Sequence, residues 1–160
     1  MKEAIYPGSF DPITSGHLDI IERAVKVFDR VHIIVGKNIN KKCLFTDEER
    51  IQLIKDCTEH LGDRVVVDSY DCLLVDYCDK VGIHTVVRGL RAMTDFDYEF
   101  QMALTNRQLN EKVESVLLVS NIIYTYVSSS MVKEIASYHG DISEIVPPNV
   151  LKAMKEKYNY

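Results

Sequence analysis

The sequence predicts an α/β protein with a Rossmann-like, doubly wound parallel sheet of five strands, helices on both faces, and a single domain over residues 1–160. Runs of β-branched apolar residues alternate with segments whose apolar residues recur at helical spacing, and short connections separate them. A length of 160 residues, 46% of them hydrophobic, suits one domain with a sizeable core. Right-handed crossovers then place the carboxyl end of every strand along one edge, where such sheets bind their ligands.

The first loop is the most informative segment. It runs from Tyr6 to His17, between a strand at residues 4–6 and a helix at residues 18–28, and its glycines and prolines forbid a continuous helix or strand. His17 is expected at or near the first turn of that helix, where unpaired N–H groups and the positive end of the dipole favour a phosphate. The alternative is that the glycines serve ordinary turns and that His17 is a surface cap.

The remaining elements follow the same patterns. Strands are predicted over residues 31–36, 64–68, 83–87 and 115–119, and helices over residues 50–61, 73–81, 95–109, 131–138 and about 148–158. Thr46 and Glu49 form a capping box, while Gly62 and Gly82 are expected to end helices. The lysine-rich last helix is predicted to be a solvated or packing appendage. The helix at residues 95–109 carries an apolar stripe of Phe96, Phe100, Ala103 and Leu104.

Three further segments follow predicted strands and are expected to converge with the first loop: residues 37–42, residues 88–91 and the run Ser128-Ser129-Ser130. Arginines suit bidentate phosphate contacts, and hydroxyls at a helix start can cradle a polyphosphate. Each has an alternative, since an arginine often forms a surface ion pair and one serine of the run can be an N-cap with polar neighbours. The carboxylate of Glu99 could accept from ribose hydroxyls or pair with an arginine.

Composition excludes several classes of protein. A net charge of −5 disfavours non-specific nucleic-acid binding, so a polyanion would need a local basic cluster of Lys37, Lys41, Lys42, Arg88 and Arg91. No apolar run is long enough to span a membrane and no signal core opens the chain, so a cytoplasmic location is expected. The four cysteines form no C-x-x-C pair, lack zinc-site spacing and are expected to be reduced. The dinucleotide fingerprint and the P-loop motif are both absent.

Four segments together resemble bacterial phosphopantetheine adenylyltransferases, a branch of the nucleotidyltransferase superfamily that is marked by an H-x-G-H signature. In order and at family-like spacing, they are residues 6–17 (YPGSFDPITSGH), 88–91 (RGLR), 95–99 (DFDYE) and 128–134 (SSSMVKE). The first histidine of H-x-G-H is Thr14 here, and the arginine that often closes the last motif is Lys133. Both departures are usual in the phosphopantetheine branch, and the resemblance covers essentially the whole chain.

The resemblance implies transfer of AMP from ATP to 4′-phosphopantetheine, giving dephospho-coenzyme A and pyrophosphate by direct in-line attack without a covalent intermediate. It also implies Mg²⁺ bound mainly through the ATP phosphates, with no metal ligands from the protein. The expected assembly is a cytoplasmic homohexamer. Feedback by coenzyme A is a further expectation, because the acceptor and coenzyme A share a moiety.

The resemblance also implies residue roles. His17 would contact the α-phosphate and stabilise the transition state, with Lys41 and Arg91 as further catalytic cations. The residues that would hold ATP are Ser9, Phe10, His17, Gly89, Leu90, Arg91, Glu99, Tyr124, Thr125, Tyr126, Val127, Ser128, Ser129 and Ser130. The residues that would hold phosphopantetheine are Ser9, Lys41, Leu74, Arg88, Met102, Asn106 and Glu134.

The residue types fit this chemistry. A phosphate nucleophile is already ionised at neutral pH, so the reaction needs cations and aligned N–H donors rather than a general base or a covalent nucleophile. Two other interpretations stay open from the sequence. One is a nucleotide-binding regulatory module without turnover, and the other is an adenylyl or cytidylyl transferase that uses a different phosphorylated acceptor.

Overall fold

A computed structural model describes residues 1–37 and 42–160 of the chain. Its strands are β1 (Glu3–Gly8), β2 (Arg30–Gly36), β3 (Val65–Tyr70), β4 (Thr85–Leu90) and β5 (Glu114–Val119). Its α-helices are α1 (Ser15–Val27), α2 (Asp47–Thr58), α3 (Leu74–Val81), α4 (Met93–Leu109), α5 (Ser129–Ser137) and α6 (Pro148–Tyr158). All strand pairs are parallel, in the order β3-β2-β1-β4-β5. The predicted α/β fold with a five-stranded parallel sheet is confirmed.

The strand order reverses direction beside β1. The chain builds β1, β2 and β3 towards one edge, and then returns to place β4 and β5 on the other side of β1. The carboxyl ends of β1 and β4 are therefore neighbours at a topological switch point, where the loops that leave them diverge to opposite faces of the sheet and open a crevice. The first loop leaves β1 at this point.

Each face of the sheet has its own apolar core, which confirms helices on both faces. Alternate strand residues such as Ile33 and Val87 point to one face, where they pack with residues of α1, α2, α5 and α6. Their neighbours Ile34 and Val86 point to the opposite face, where they pack with Val75 and Cys78 of α3. This period of two is what a strand buried on both sides produces, and it explains the nearly continuous apolar runs in the sequence.

Of the two alternatives for the C-terminal helix, a solvated or a packing appendage, the structure shows a helix that packs on the core. Val150 and Met154 of α6 are completely buried in the main core, and Asn149 Nδ2 donates to the carbonyl of Leu53 on α2 at 3.0 Å. The lysines occupy the outer face of the same helix. The lysine-rich composition therefore indicates only the exposed side of α6, and the apolar residues on its other side pack in the core.

Helix α4 differs from its prediction in the face that it buries. Phe96, Phe100 and Leu104 of its apolar stripe remain 38%, 52% and 50% exposed. The two residues that α4 does bury are polar, Glu99 and Asn106. These three residues therefore form an exposed apolar surface of this chain, whereas the side of α4 that carries Glu99, Met102, Ala103 and Asn106 is turned to the crevice.

The observed ends of several helices and strands differ by a few residues from the predicted ends. Helix α2 ends at Thr58 and is followed by a 3₁₀ segment (Glu59–Arg64), so Gly62 is a turn residue with φ of 55° rather than the C-cap of α2. Gly82 does end α3 in the left-handed conformation, as predicted. Strand β4 extends to Leu90, so Arg88 and Gly89 belong to the strand end rather than to the loop after it. Within the described ranges, the structure holds no helix that could cross a membrane.

Candidate active site

Two adjacent cavities lie at the switch point. The first cavity, about 310 Å³, is lined by the first loop, the end of β4 and the N-termini of α1 and α5. The second cavity, about 480 Å³, is lined by the ends of β1 and β2 and by residues of α4, with Leu74 of α3. Six of the described residues line both cavities, and we call them the shared wall: Pro7, Gly8, Ser9, Arg88, Tyr98 and Glu99.

The first loop has an unusual backbone that depends on Gly8. Phe10 has a φ of 48°, in the left-handed region that a bulky residue seldom adopts. Its ring is folded back so closely that a Cβ on Gly8 would lie 2.9 Å from the ring. The same ring makes an edge contact with Tyr6, with centroids 5.3 Å apart, and is buried. The glycine is therefore required by the aromatic packing that shapes the loop.

His17 is held by a capping box at the start of α1. Thr14 is the N-cap and accepts from the backbone N–H of His17, while the N–H of Thr14 donates to Nδ1 of His17 at 3.0 Å. Because Nδ1 acts as an acceptor, the proton of the neutral imidazole resides on Nε2. The ring also contacts Phe10, with centroids 5.1 Å apart. Nε2 is thus the atom left to donate into the first cavity that His17 lines.

The charge state of His17 follows from its surroundings. Burial, together with the positive charges of Arg91 and Arg88, lowers the pKa of His17 from 6.5 to about 4. At neutral pH the imidazole is therefore uncharged, and it acts as a hydrogen-bond donor rather than as a cation or a proton source. The alternative that His17 is only a surface cap is incomplete, since the residue caps α1 and also lines the cavity.

The serine run starts α5 with a division of roles. Ser128 is the N-cap, and its hydroxyl accepts from the N–H of Met131 at 3.1 Å. The hydroxyl of Ser129 donates to the carbonyl of Pro12 at 2.7 Å and so joins α5 to the first loop. All three serines line the first cavity. Two of the hydroxyls therefore have structural partners, which leaves the helix N–H groups and Ser130 as the groups best placed for a ligand.

Asp11 anchors the first loop from behind. Its carboxylate accepts from the N–H groups of Leu44 and Phe45, both at 2.9 Å, and from Lys133 Nζ at 3.0 Å. Burial alone would raise the pKa of Asp11, but these hydrogen bonds outweigh burial and hold it below its usual range. Lys133, on α5, is the residue that replaces the arginine of the wider superfamily, and its ammonium is committed to this pair.

Arg88 and Glu99 form the central ion pair of the shared wall. Arg88 Nε and Nη2 donate to the two carboxylate oxygens of Glu99 at 2.8 and 2.9 Å, and Nη1 donates to the carbonyl of Pro7 at 2.8 Å. Of the two options for Glu99, pairing with an arginine is the one observed. Three of the five guanidinium N–H groups are used, and the remaining two leave Arg88 as a fixed donor at the wall.

Arg91 is oriented across the first cavity. Its guanidinium pairs with Asp95 at 3.1 Å and also donates to the carbonyl of Val127. Through these contacts the end of β4 is joined to the segment that precedes α5. Both Arg91 and Asp95 line the first cavity.

A buried arginine lies beneath the shared wall. Arg50, only 2% exposed, donates from Nη1 to the carbonyl of Ser9 at 2.7 Å and to the carbonyl of Gly36 at 3.4 Å, while Nη2 pairs with Asp47. It therefore connects the loops that leave β1 and β2. The sequence placed Arg50 only as the first residue of a helix, and nothing in the local pattern shows that it turns inward.

Most of the residues that the resemblance implied line the two cavities. Those at the first cavity are Ser9, Phe10, His17, Gly89, Arg91, Glu99, Val127, Ser128, Ser129 and Ser130. Those at the second cavity are Ser9, Leu74, Arg88, Met102 and Asn106. Lys41 lies outside the described residues. The remainder line neither cavity: Leu90, Tyr124, Thr125, Tyr126 and Glu134, the last of which is exposed on α5.

Several cavity residues were not singled out from the sequence. Asp11 and Lys133 lie inside the quoted motifs, so their place in those motifs was the available signal. Tyr70 and Ser120 also line a cavity, and they carry no local signal because long-range packing brings them there, whereas Lys37 of the predicted basic cluster lines the second cavity. Among the residues described, no group of three or more His, Cys, Asp or Glu side chains could hold a metal ion.

Comparison with known proteins shows which family the chain resembles in sequence. The family model described as cytidylyltransferase-like matches residues 5–135. A phosphopantetheine adenylyltransferase of Staphylococcus haemolyticus is 51% identical over 98% of this chain and 96% of its own length. The phosphopantetheine adenylyltransferase of Finegoldia magna is 47% identical over the same shares.

A solved structure supports the fold independently. A Vibrio parahaemolyticus protein described as a nicotinate-nucleotide adenylyltransferase superposes with a TM-score of 0.68 over 96% of this chain and 99% of its own. Its identity of 19% supports the likeness of fold alone. The two sequence relatives, in contrast, are 51% and 47% identical over nearly the whole chain.

Proposed function

The chain belongs to the cytidylyltransferase-like family and, within it, to the phosphopantetheine adenylyltransferases, and from this premise we propose that the first cavity binds ATP and the second binds 4′-phosphopantetheine. The enzyme transfers the adenylyl group between them in coenzyme A biosynthesis. The assignment of the cavities depends on the shared wall. Adenylyl transfer requires the α-phosphate of ATP and the phosphate of the acceptor to lie next to each other, and the two cavities adjoin at this wall.

The first cavity suits a nucleoside triphosphate. Two helix N-termini, at Thr14 and Ser128, offer N–H groups and positive dipole ends, and His17 and Arg91 add donors. The second cavity is lined by Leu74, Met102 and Ala103, which suit an apolar arm, and by polar groups at the wall that suit its phosphate.

The reaction is an in-line displacement. A phosphate oxygen of the acceptor attacks the α-phosphorus of ATP, the bond from that phosphorus to the bridging oxygen breaks, and pyrophosphate leaves with the electron pair. His17 Nε2 donates to an α-phosphate oxygen, where negative charge is concentrated in the transition state. Arg88 faces both cavities and positions the acceptor phosphate. No proton has to be removed from the nucleophile.

The carboxylates of the first cavity are paired with cations and are therefore poorly placed to bind Mg²⁺. Asp11, Asp95 and Glu99 are each paired with a cation, respectively Lys133, Arg91 and Arg88. The donor set therefore fits Mg²⁺ held mainly by the triphosphate rather than by the protein. When bound, Mg²⁺ supplies neutralisation of the charge that develops on pyrophosphate.

Pyrophosphate release tests the proposed function. With ATP, Mg²⁺ and 4′-phosphopantetheine, we expect one pyrophosphate for each dephospho-coenzyme A formed, measured by a coupled assay and by mass spectrometry. Pantetheine without its phosphate serves as the matched negative acceptor, and CTP as the alternative donor. Binding of ATP without pyrophosphate would indicate a regulatory module, and turnover with a different phosphorylated acceptor alone would indicate another branch.

We propose that the chain assembles as a homohexamer, and the exposed apolar surface of α4 supports this proposal. Phe96, Phe100 and Leu104 expose apolar area of a kind that usually marks an interface, and Ile122 and Ile123 are also exposed, at 79% and 57%. We expect sedimentation to give six times the mass of one chain. Phe100→Asp with Leu104→Glu should release smaller species, whereas Val27→Asp, at an exposed apolar residue of α1, should not.

Two further expectations accompany this function. Coenzyme A shares the pantetheine arm with the acceptor, so it is expected to compete for the second cavity. The four cysteines, Cys43, Cys57, Cys72 and Cys78, are all free thiols, which is consistent with the reducing cytoplasm in which the enzyme is proposed to act.

A further inference from the structure

Ser120 carries a buried hydroxyl that the reaction as described does not use. The residue follows the last residue of β5, is only 8% exposed, and lines the first cavity. Within residues 1–37 and 42–160, its Oγ is one of two buried side-chain polar atoms without a hydrogen-bond partner. A buried polar group left in that state costs free energy, so its retention calls for an explanation.

The backbone fixes where this hydroxyl lies. The N–H of Ser120 donates to the carbonyl of Leu90, at the end of β4, at 3.0 Å. The next N–H, of Asn121, donates to Asp19 on α1 at 2.8 Å. The backbone of Ser120 is therefore held between the end of β4 and the second turn of α1, and rotation about the Cα–Cβ bond, which breaks neither contact, is the motion that turns Oγ towards the cavity.

The part of the cavity next to Ser120 differs from the phosphate-binding part. Leu90 is adjacent to Gly89, where a Cβ would lie 3.0 Å from the side chain of Ile20, and Ile20 is adjacent to Asp19. Ile20, Gly89 and Val127 give this part of the lining an apolar, closely packed character. The donors His17 and Arg91, by contrast, serve phosphates. An apolar lining with one buried hydroxyl suits a heteroaromatic ring with a polar edge.

We propose that Ser120 is a specificity-determining residue whose hydroxyl hydrogen-bonds the edge of the nucleobase of ATP. This inference rests on the proposed function, in which the first cavity binds ATP. A base that places a matching donor or acceptor against Oγ gives the hydroxyl its hydrogen bond. A base with a mismatched polar group there leaves both that group and the hydroxyl buried without a partner. Unpaired buried groups discriminate between ligands more strongly than a missing apolar contact does.

The test is ATP affinity measured by calorimetry in three forms of the protein. Ser120→Ala is expected to weaken ATP binding about 5- to 30-fold, the range for loss of one buried hydrogen bond. Ser120→Thr keeps a hydroxyl and is expected to restore most of the affinity. The KM for 4′-phosphopantetheine should not change in either variant, because Ser120 does not line the second cavity.

Base analogues identify the contact. ATP analogues that each lack one polar group of the purine (the 6-amino group, N1, N3 or N7) are titrated into wild type and Ser120→Ala. One analogue should lose affinity in wild type but lose nothing further in the variant, since both changes remove the same hydrogen bond. The inference is wrong if every base analogue loses the same factor of affinity, relative to ATP, in wild type and in Ser120→Ala. It is also wrong if 2′-deoxy-ATP is the analogue whose loss of affinity disappears in the variant, because the hydroxyl would then contact the ribose and not the base.

Ligand-free stability separates this role from a structural one. Because Oγ has no partner among the described residues, Ser120→Ala should not lower the Tm of the free protein. A lower Tm together with unchanged ATP affinity would overturn the inference in favour of a structural hydroxyl. Failure of the wild type to bind ATP would instead contradict the proposed function, so the two failures are distinguishable.

Discussion

Replacing His17 with alanine should lower the turnover number by about 10²- to 10³-fold, the usual loss when one transition-state donor is removed. The affinity for ATP should change little, because the N-termini of α1 and α5 and Arg91 remain in the first cavity. Stopped-flow or coupled pyrophosphate kinetics give the turnover, and calorimetry gives the affinity. Near-normal turnover in His17→Ala would remove the residue from the mechanism.

A matched variant separates catalysis from capping. His17 also accepts the N–H of Thr14, so alanine removes half of the capping box as well as the donor. Glutamine at the same N3 position can accept that N–H, and His17→Gln should therefore retain the Tm of wild type while turnover stays low. Recovery of both stability and turnover in His17→Gln would mean that the cap, not the Nε2 donor, was responsible.

The pH dependence gives a further check on His17. Its pKa of about 4 lies well below 6.5, so the imidazole stays neutral and does not titrate across the neutral range. The kcat/KM of wild type should therefore show no inflection near pH 6.5 that disappears in His17→Gln. Such an inflection would mean that His17 acts in its charged form in the free enzyme.

Removing the guanidinium of Arg88 should destabilise the fold by about 3–5 kcal/mol, because Glu99, whose side chain is 7% exposed, would be left as an uncompensated buried carboxylate. Urea denaturation of Arg88→Met at fixed protein concentration measures this loss.

The double variant completes the cycle. Arg88→Met with Glu99→Gln removes the stranded charge, and it should recover most of the stability lost in Arg88→Met alone. Glu99→Gln by itself leaves the arginine, which is 29% exposed and can be solvated, so its cost should be smaller. If Arg88→Met were as stable as wild type at every pH, the pair would not be an organising contact of the shared wall.

The sequence could predict the sheet and the segments that meet at its edge because both depend on local patterns. Strands buried on two sides require apolar β-branched runs, and the loops at their carboxyl ends must converge. The sequence could not predict which face of α4 is buried. Its apolar stripe has helical spacing, but the crevice takes the polar face with Glu99 and Asn106, and the aromatic residues remain outside.

Other features depend on distances that no local pattern contains. The sequence left open whether Glu99 meets a ribose or an arginine, and the answer depends on where α4 crosses the end of β4. The inward turn of Arg50 also depends on such distances, and so does the burial of the Ser120 hydroxyl, which has no hydrogen-bond partner within residues 1–37 and 42–160. The serine run was ambiguous in sequence, and it proves to combine a cap, a tether to Pro12 and a cavity lining.

The shared wall has a thermodynamic consequence. Residues 7–9 line both the first and the second cavity, and Arg50 holds the carbonyl of Ser9 from beneath. A substrate that rigidifies the shared wall when it binds therefore changes the affinity of the protein for the other substrate. Linkage requires each substrate to change the affinity for the other by the same factor. Whichever substrate arrives first, the total free energy of forming the ternary complex is the same.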